Sequence, residues 1–398
     1  MNREDFEILK SGIIYFDNGA TTFKPNYVID KVIEYYEDYT ANAHRGDYAN
    51  SIKVDEAYES VRTKVKQFIN AASNKEIVFT KGTTNSLNMI VFGFMKNYLK
   101  KDDEVIITRS EHASNILPWL ELEKSIGIKV RYIDLDENLE VTIPNLEKVI
   151  SDKTKVISLA HITNVVGDVR PIEEIGEICK KKNILFVVDA AQSIGHIKTD
   201  VNKYNIDFLG FSAHKMLGPT GVGVLYGKEE LLNDLKPIEY GGGMNVSFDS
   251  FGNIEYKDLP SRLEAGTPNI SGVIGLGAAI DYINSIGLDK IHSYEINLKK
   301  YALDKLSNIK DIEIYNTNSY SGIITFNLKD IFPQDTALFL DYYNICVRAG
   351  NHCTKALKEE LGIKNTCRIS FYLYNNQEEI DKLIEALNKK DKLYEVII

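Results

Sequence analysis

The chain has 398 residues, 44% of them hydrophobic and 26% charged, which exceeds the ~250–300 residues at which single cores tend to divide, so two domains are expected. Its 47 basic residues are outnumbered by 57 acidic ones, and the formal net charge of −10 argues against binding nucleic acid. Four cysteines without a C-x-x-C pair argue against a disulfide framework or a zinc knuckle and point to a reducing, cytoplasmic compartment; the charged start of the chain reads as no signal peptide, and no apolar run approaches the ~20 residues of a membrane span.

In chain order, apolar periodicity predicts helices over 27–39 and 54–69, a strand over 77–80 and a helix over 86–99. A strand follows at 104–108, a helix at 115–126, strands at 129–133 and 155–160, and a helix at 172–182. Strands over 184–189, 208–212 and 223–226 complete a set of seven, and their alternation with helices implies an α/β domain with a mostly parallel seven-stranded sheet flanked by helices. Composition then shifts at Tyr240-Gly-Gly-Gly-Met244, and the polar stretch to Leu263 reads as a mobile loop near the site. Beyond it, helices over 273–286 and 289–306, strands over 321–327 and 345–348 and a helix over 377–389 read as a smaller α+β domain. The expected division is a large domain over 15–265 and a small C-terminal domain over 266–398 that carries a cysteine loop, with residues 1–14 packing on the small one. No internal repeat is present, and the short lysine clusters read as solvated helix ends.

Three segments carry chemistry. Phe211-Ser-Ala-His-Lys-Met-Leu-Gly-Pro219 places Lys215 in a small-residue turn just after a strand, where partial desolvation favours the neutral amine needed to form an imine with a carbonyl. Ile184-Leu-Phe-Val-Val-Asp-Ala-Ala-Gln192 reads as a buried parallel strand whose C-terminal end aims Asp189 at the crevice where open α/β sheets bind ligands. A carboxylate there calls for a cation, and a protonated pyridine nitrogen is one. Glu76-Ile-Val-Phe-Thr-Lys-Gly-Thr-Thr-Asn85 joins a strand to a helix through glycine, so Gly82, Thr83 and Thr84 read as a phosphate cup. Each pattern alone has a plain structural reading: a surface-turn lysine, a capping aspartate, a capping threonine. Their convergence on one sheet edge suits pyridoxal 5′-phosphate.

With these residues in view, the chain resembles the class V aminotransferase group of fold-type I pyridoxal-phosphate enzymes, and within it the Suf-type (group II) cysteine desulfurases and selenocysteine lyases. The resemblance runs almost end to end, through Tyr15-Phe-Asp-Asn-Gly-Ala-Thr-Thr22, Ala43-His-Arg-Gly46, Lys81-Gly-Thr-Thr84, Glu111-His-Ala-Ser-Asn-Ile-Leu-Pro-Trp119, His161-Ile-Thr-Asn-Val-Val-Gly167, Val188-Asp-Ala-Ala-Gln192, Ser212-Ala-His-Lys215, Glu264-Ala-Gly-Thr-Pro-Asn269 and Val347-Arg-Ala-Gly-Asn-His-Cys353. It implies that Lys215 holds the cofactor aldehyde, that Asp189 holds the ring nitrogen and that His112 stacks on the ring and assists proton transfer. Asn164 and Gln192 would sit by the ring hydroxyl, while Thr83, Thr84, Ser212 and His214 bind phosphate. Thr267 would reach the phosphate of a second subunit, making the active species a homodimer. Arg368, with Arg348 and Asn164, would take the substrate carboxylate.

Cys353 lies in a polar, glycine-containing stretch after Arg348 and beside His352, where positive charge and exposure could activate a thiolate. Cys179, Cys346 and Cys367 read as inert fillers. The resemblance therefore implies an enzyme that converts L-cysteine to L-alanine, forms a persulfide on Cys353 and passes sulfur to an acceptor protein, for iron–sulfur cluster assembly or other sulfur-containing products. Selenocysteine lysis from L-selenocysteine, a class V aminotransferase or epimerase reaction, and a non-catalytic assembly role remain the alternatives. No metal, nucleic-acid or membrane partner is expected. The chain departs from the usual pattern of Suf-type relatives at Asn85, at Ala190, which stands where they carry a glycine, and at Asn351, which stands where they carry a histidine.

Overall fold

Runs of Val, Ile and Phe without polar alternation become the inner strands of a sheet because helices cover both of its faces. The structure, a computed structural model, describes residues 2–44, 46–315, 317–393 and 395; Arg45, within the block Ala43–Gly46, lies outside the described residues. In chain order the strands are β1 (Ile14–Tyr15), β2 (Ile77–Thr80), β3 (Glu104–Thr108), β4 (Lys129–Ile133), β5 (Thr154–Ala160), β6 (Leu185–Asp189), β7 (Phe208–Ser212), β8 (Gly223–Gly227), β9 (Asn245–Phe248), β10 (Ile254–Tyr256), β11 (Ile312–Tyr315), β12 (Ile323–Leu328), β13 (Ile345–Cys346), β14 (Arg348–Gly350) and β15 (Thr366–Ser370). The helices that matter here are α1 (Asn26–Asp38), α2 (Ala49–Phe68), α3 (Thr83–Asn88), α4 (Leu117–Ile126), α5 (Ile172–Lys182), α6 (Ile270–Ile286), α7 (Leu288–Leu306), α8 (Pro333–Asp341) and α9 (Gln377–Asn388).

Seven strands form the large sheet in the order β2-β8-β7-β6-β5-β3-β4. β8 runs antiparallel to β2 and β7 on either side of it; the remaining pairs are parallel. The C-terminal ends of β2, β3, β5, β6 and β7 therefore lie along one edge of the sheet, the edge at which doubly wound sheets bind ligands. The second sheet is four-stranded and antiparallel, in the order β11-β12-β15-β14.

Hydrophobic packing divides differently from the expected boundary at 265/266. Helix α6 packs against α1 and α2 and contributes Val273, Leu276 and Ile280 to the same core as β6 and β7. The separate core of the C-terminal sheet starts at α7, with Leu298 and Leu306 meeting Phe326, Ile369 and Leu383. It also takes in Ile14 and Phe16, while Phe6 belongs to the first core, so the N-terminal segment touches both cores.

Three other expectations change. The run over 345–348 is two strands, since Ile345–Cys346 pairs with β1 and Arg348–Gly350 turns away to pair with β15. The helix over 86–99 is α3 followed by a π segment, Met89–Met95, and a short turn. The segment expected as a mobile loop folds as the hairpin β9–β10, whose Val246, Phe248 and Ile254 are exposed. Among the described residues no single helix is long and apolar enough to cross a membrane.

One buried ion cluster fixes the sheet edge. Arg170 pairs with Glu111 and with Asp168 (3.3 Å), and its second terminal nitrogen donates to the Thr108 and Ser110 hydroxyls at 2.8 and 2.7 Å. Glu111 in turn accepts from the Asn115 amide and the Ala160 N–H, each at 2.8 Å. The cluster thus ties the end of β3 to the end of β5, one residue from His112 and close to Asn164. Replacing Arg170 with Met would leave two carboxylates buried without their counter-ion, and a loss of about 3–5 kcal/mol is expected. Chemical denaturation of Arg170→Met measures it; an unchanged midpoint would show that the cluster does not hold this edge.

Candidate cofactor and substrate site

Five strand ends and one loop of the C-terminal sheet enclose a cavity of about 220 Å³. At one end lies the cup expected for phosphate. Gly82 has φ +141, a backbone that L side chains rarely adopt, and so lets the chain turn from β2 into α3. Immediately after it, the Thr83 N–H and hydroxyl both meet the Ser212 hydroxyl, at 2.8 and 2.7 Å. Thr84 pairs with Ser114 through their hydroxyls at 2.7 Å. His214 lines the same end, and burial followed by the charges of Lys215 and Lys24 pushes its imidazole down to about 4, which keeps it neutral.

The floor of the cavity joins an acid to an amine. Asp189 is 4% exposed, and one of its oxygens accepts the Ala191 N–H at 2.9 Å. Burial raises its carboxyl to about 6. Lys215 closes a 3-10 turn, Ala213–Lys215, that is locked by the Gly218 N–H on the Ala213 carbonyl (2.9 Å) and the Leu217 N–H on the Thr22 hydroxyl (2.9 Å). Burial pushes its amine down to about 8, against the opposing pull of Asp189.

His112 accepts the Ser114 N–H on Nδ1 at 3.2 Å, so the neutral ring carries its proton on Nε2. Burial, then Lys215, pushes it down to about 4. Gln192 lines the cavity with its amide nitrogen donating to the Gly19 carbonyl at 2.8 Å.

At the opposite end stand two arginines. Arg348 and Arg368 face one another across the β14–β15 pair. Arg368 donates to the Asn164 carbonyl (2.8 Å) and to Asp17 (2.7 Å), while its Nε is buried without a hydrogen-bond partner. An anion between the two guanidinium groups would relieve their mutual repulsion. Asp17 and Gly19 went unassigned in the sequence, although both lie in the quoted block Tyr15–Thr22. Asn164, expected at the ring hydroxyl, lines the cavity but also engages the cysteine loop, donating to the His352 carbonyl at 2.8 Å and accepting from the Thr354 hydroxyl at 3.1 Å.

Cys353 is exposed and stands outside the cavity wall, next to His352, which lines it. The expected help from a charged histidine fails: His352 is buried, bonds through Nε2 to the Thr366 carbonyl (2.9 Å), and is pushed down to about 2 by burial and then by Arg368. Burial holds the other thiols protonated, raising Cys179 and Cys346 and pushing Cys367 up to about 12. Thr267 is exposed and does not line this cavity; with Lys81, Asn85 and Gly221 it lines a neighbouring one of about 250 Å³.

The residues present fit pyridoxal 5′-phosphate. A buried carboxylate with a single backbone donor suits a protonated ring nitrogen, a desolvated amine suits an aldehyde, and the hydroxyls of Thr83, Thr84 and Ser212 at a helix start suit a phosphate.

Comparison with known proteins places the chain in a family. Residues 14–383 match the family model for class-V aminotransferases. The chain is 42% identical over 390 residues to a probable cysteine desulfurase of Halalkalibacterium halodurans, covering 98% of this chain and 96% of that one. It is 41% identical over 398 residues to a probable cysteine desulfurase of Staphylococcus aureus, with the same coverage of 98% and 96%. Among solved structures, the apo cysteine desulfurase from Thermococcus onnurineus superposes with a TM-score of 0.93 at 39% identity, over 97% of this chain and 96% of that one. An S-sulfonic acid form of an Escherichia coli cysteine desulfurase superposes with a TM-score of 0.92 at 33% identity, over 100% and 98%. The chain belongs to the class-V aminotransferase family.

Proposed function

We propose that this protein is a pyridoxal-phosphate-dependent cysteine desulfurase that converts L-cysteine to L-alanine and carries the sulfur as a persulfide on Cys353. The observation that supports this reading most is the union, in one cavity, of a desolvated Lys215, a buried Asp189 and two arginines, with an exposed thiol on the adjoining loop.

Bound pyridoxal phosphate supplies an aldehyde for amine capture and a protonated ring that delocalises the electron pair released at the substrate α-carbon. Asp189 keeps that ring nitrogen protonated, and the hydroxyls of Thr83, Thr84 and Ser212 anchor the phosphate. Arg368 and Arg348 bind the substrate carboxylate and so orient the α-carbon. Lys215, with an amine pushed down to about 8 by burial, takes the α-proton and returns a proton to Cβ. His112 presents its Nε2–H towards the cavity as a hydrogen-bond donor. The Cys353 thiolate attacks the substrate sulfur: an S–S bond forms, the C–S bond breaks, and its electron pair takes up a proton at Cβ as alanine leaves. No external oxidant is needed, because the carbon is reduced as the two sulfurs join.

The active species in this reading is a homodimer in which Thr267 reaches the phosphate of the partner. Its exposure, and its place beside Lys81 and Asn85 at the foot of the phosphate cup, support this. The four free thiols support a reducing, cytoplasmic setting. The persulfide then serves an acceptor protein, for iron–sulfur cluster assembly or other sulfur-containing products.

Only the neutral amine of Lys215 is nucleophilic, so capture of pyridoxal phosphate by the cofactor-free protein, followed by absorbance, should quicken about tenfold per pH unit below about 8 and level off above it. Lys215→Ala should show no capture; a rate flat from pH 6 to 9 would contradict the assignment. Cys353→Ser should bind L-cysteine yet fail to release alanine, whereas selenium release from L-selenocysteine, with its better leaving group, should partly survive. Full alanine release by that variant would remove Cys353 from the reaction and favour the lyase or aminotransferase chemistry.

A further inference from the structure

His352 and Cys353 both have positive φ, +54 and +59, and the Thr354 N–H returns to the Asn351 carbonyl at 3.0 Å. That is the signature of a type I′ turn with His352 and Cys353 as its central residues. Such positions favour Asn and Gly, because a Cβ crowds the backbone in the left-handed region. His is tolerated there better than most residues but Cys is not, so the turn depends on surroundings that hold Cys353.

Four hydrogen bonds do so. The Asn351 side-chain oxygen accepts the Cys353 N–H at 2.9 Å, and the Ala113 N–H donates to the Cys353 carbonyl at 2.8 Å. The Asn164 amide donates to the His352 carbonyl at 2.8 Å, and the His352 ring is pinned to Thr366, whose hydroxyl also accepts from the buried Lys358 at 2.6 Å. Ala113 follows His112 and Asn164 lines the Lys215 cavity, so the turn is registered against the cavity wall itself. Asn351 is exposed, and its side chain bonds the cysteine's own backbone nitrogen.

We propose that Asn351 is a positioning residue, closing an Asx turn that keeps Cys353 in its strained conformation and its thiol in fixed register with the substrate cavity. This rests on the reading of Cys353 as the sulfur carrier.

The test compares Asn351→Ala with Asn351→Ser in the holoenzyme. Serine retains an oxygen that can bond the nitrogen two residues on, more weakly than Asn. For Asn351→Ala, kcat for alanine release should fall between about tenfold and a hundredfold, the scale of an ångström-level misplacement, with KM for L-cysteine unchanged because the arginines are untouched. Asn351→Ser should recover most of that loss. Hydrogen–deuterium exchange should quicken in the peptide spanning 350–355 for the alanine variant only. Separately, Cys353→Gly should melt above Cys353→Ala, since glycine alone is at ease at φ +59. Wild-type kcat and exchange in Asn351→Ala, or equal melting of the two Cys353 variants, would overturn the proposal. Full turnover by Cys353→Ser would instead refute the carrier reading, while the exchange and melting comparisons would still decide the turn.

Discussion

The cost of removing charge from water governs this structure. Lys215 and Asp189 sit together at the mouth of a sheet whose strands are buried on both faces, and burial drives each towards its neutral form. A lysine that titrates near 8 and a carboxyl that titrates near 6 are poor choices for stabilising a fold. They suit a cofactor with an aldehyde at one end and a basic nitrogen at the other. Much of the surrounding architecture serves to keep that pair in place: the reversed β8 that brings β2 alongside, the glycine that turns β2 into α3, and the Arg170 cluster that ties β3 to β5.

The arginine end of the cavity is built from both cores. Arg368 and Arg348 come from the C-terminal sheet, yet Arg368 is held by Asp17 near the N-terminus and by the carbonyl of Asn164 from the large sheet's edge. The same Asn164 fastens the turn that presents Cys353. Arg368 and the cysteine turn are thereby fastened to one residue, Asn164, and displacement of either would be felt by the other. His352, which looked in the sequence like a source of positive charge for the thiol, is instead a neutral peg that fixes the loop to Thr366.

The sequence carried most of the large domain because its signals are local. Ile77–Thr80, Glu104–Thr108 and Phe208–Ser212 form strands where apolar runs place them, Lys129–Ile133 forms one where polar and apolar residues alternate, and α5 spans its predicted helix. The local signals also drew Lys215, Asp189, Thr83 and Ser212 to one edge, since Asp189 and Ser212 end strands and Lys215 and Thr83 lie in the turns just after strands. What depended on tertiary pairing was not legible. The run over 345–348 divides between two sheets, Asp17 gains its role only by meeting Arg368 from the far end of the chain, and α6 joins the first core by packing on α1 and α2. The turn at Cys353 was hidden most deeply, because nothing in Asn-His-Cys-Thr advertises two left-handed residues.

The most direct test of the account follows the sulfur atom. Holoenzyme exposed to L-cysteine without a reductant, then digested and weighed peptide by peptide, should carry one added sulfur on the Cys353 peptide and none on Cys179, Cys346 or Cys367, with one alanine released for each sulfur retained. Alanine released while Cys353 stays unmodified, or sulfur found on another of the four thiols, would contradict it.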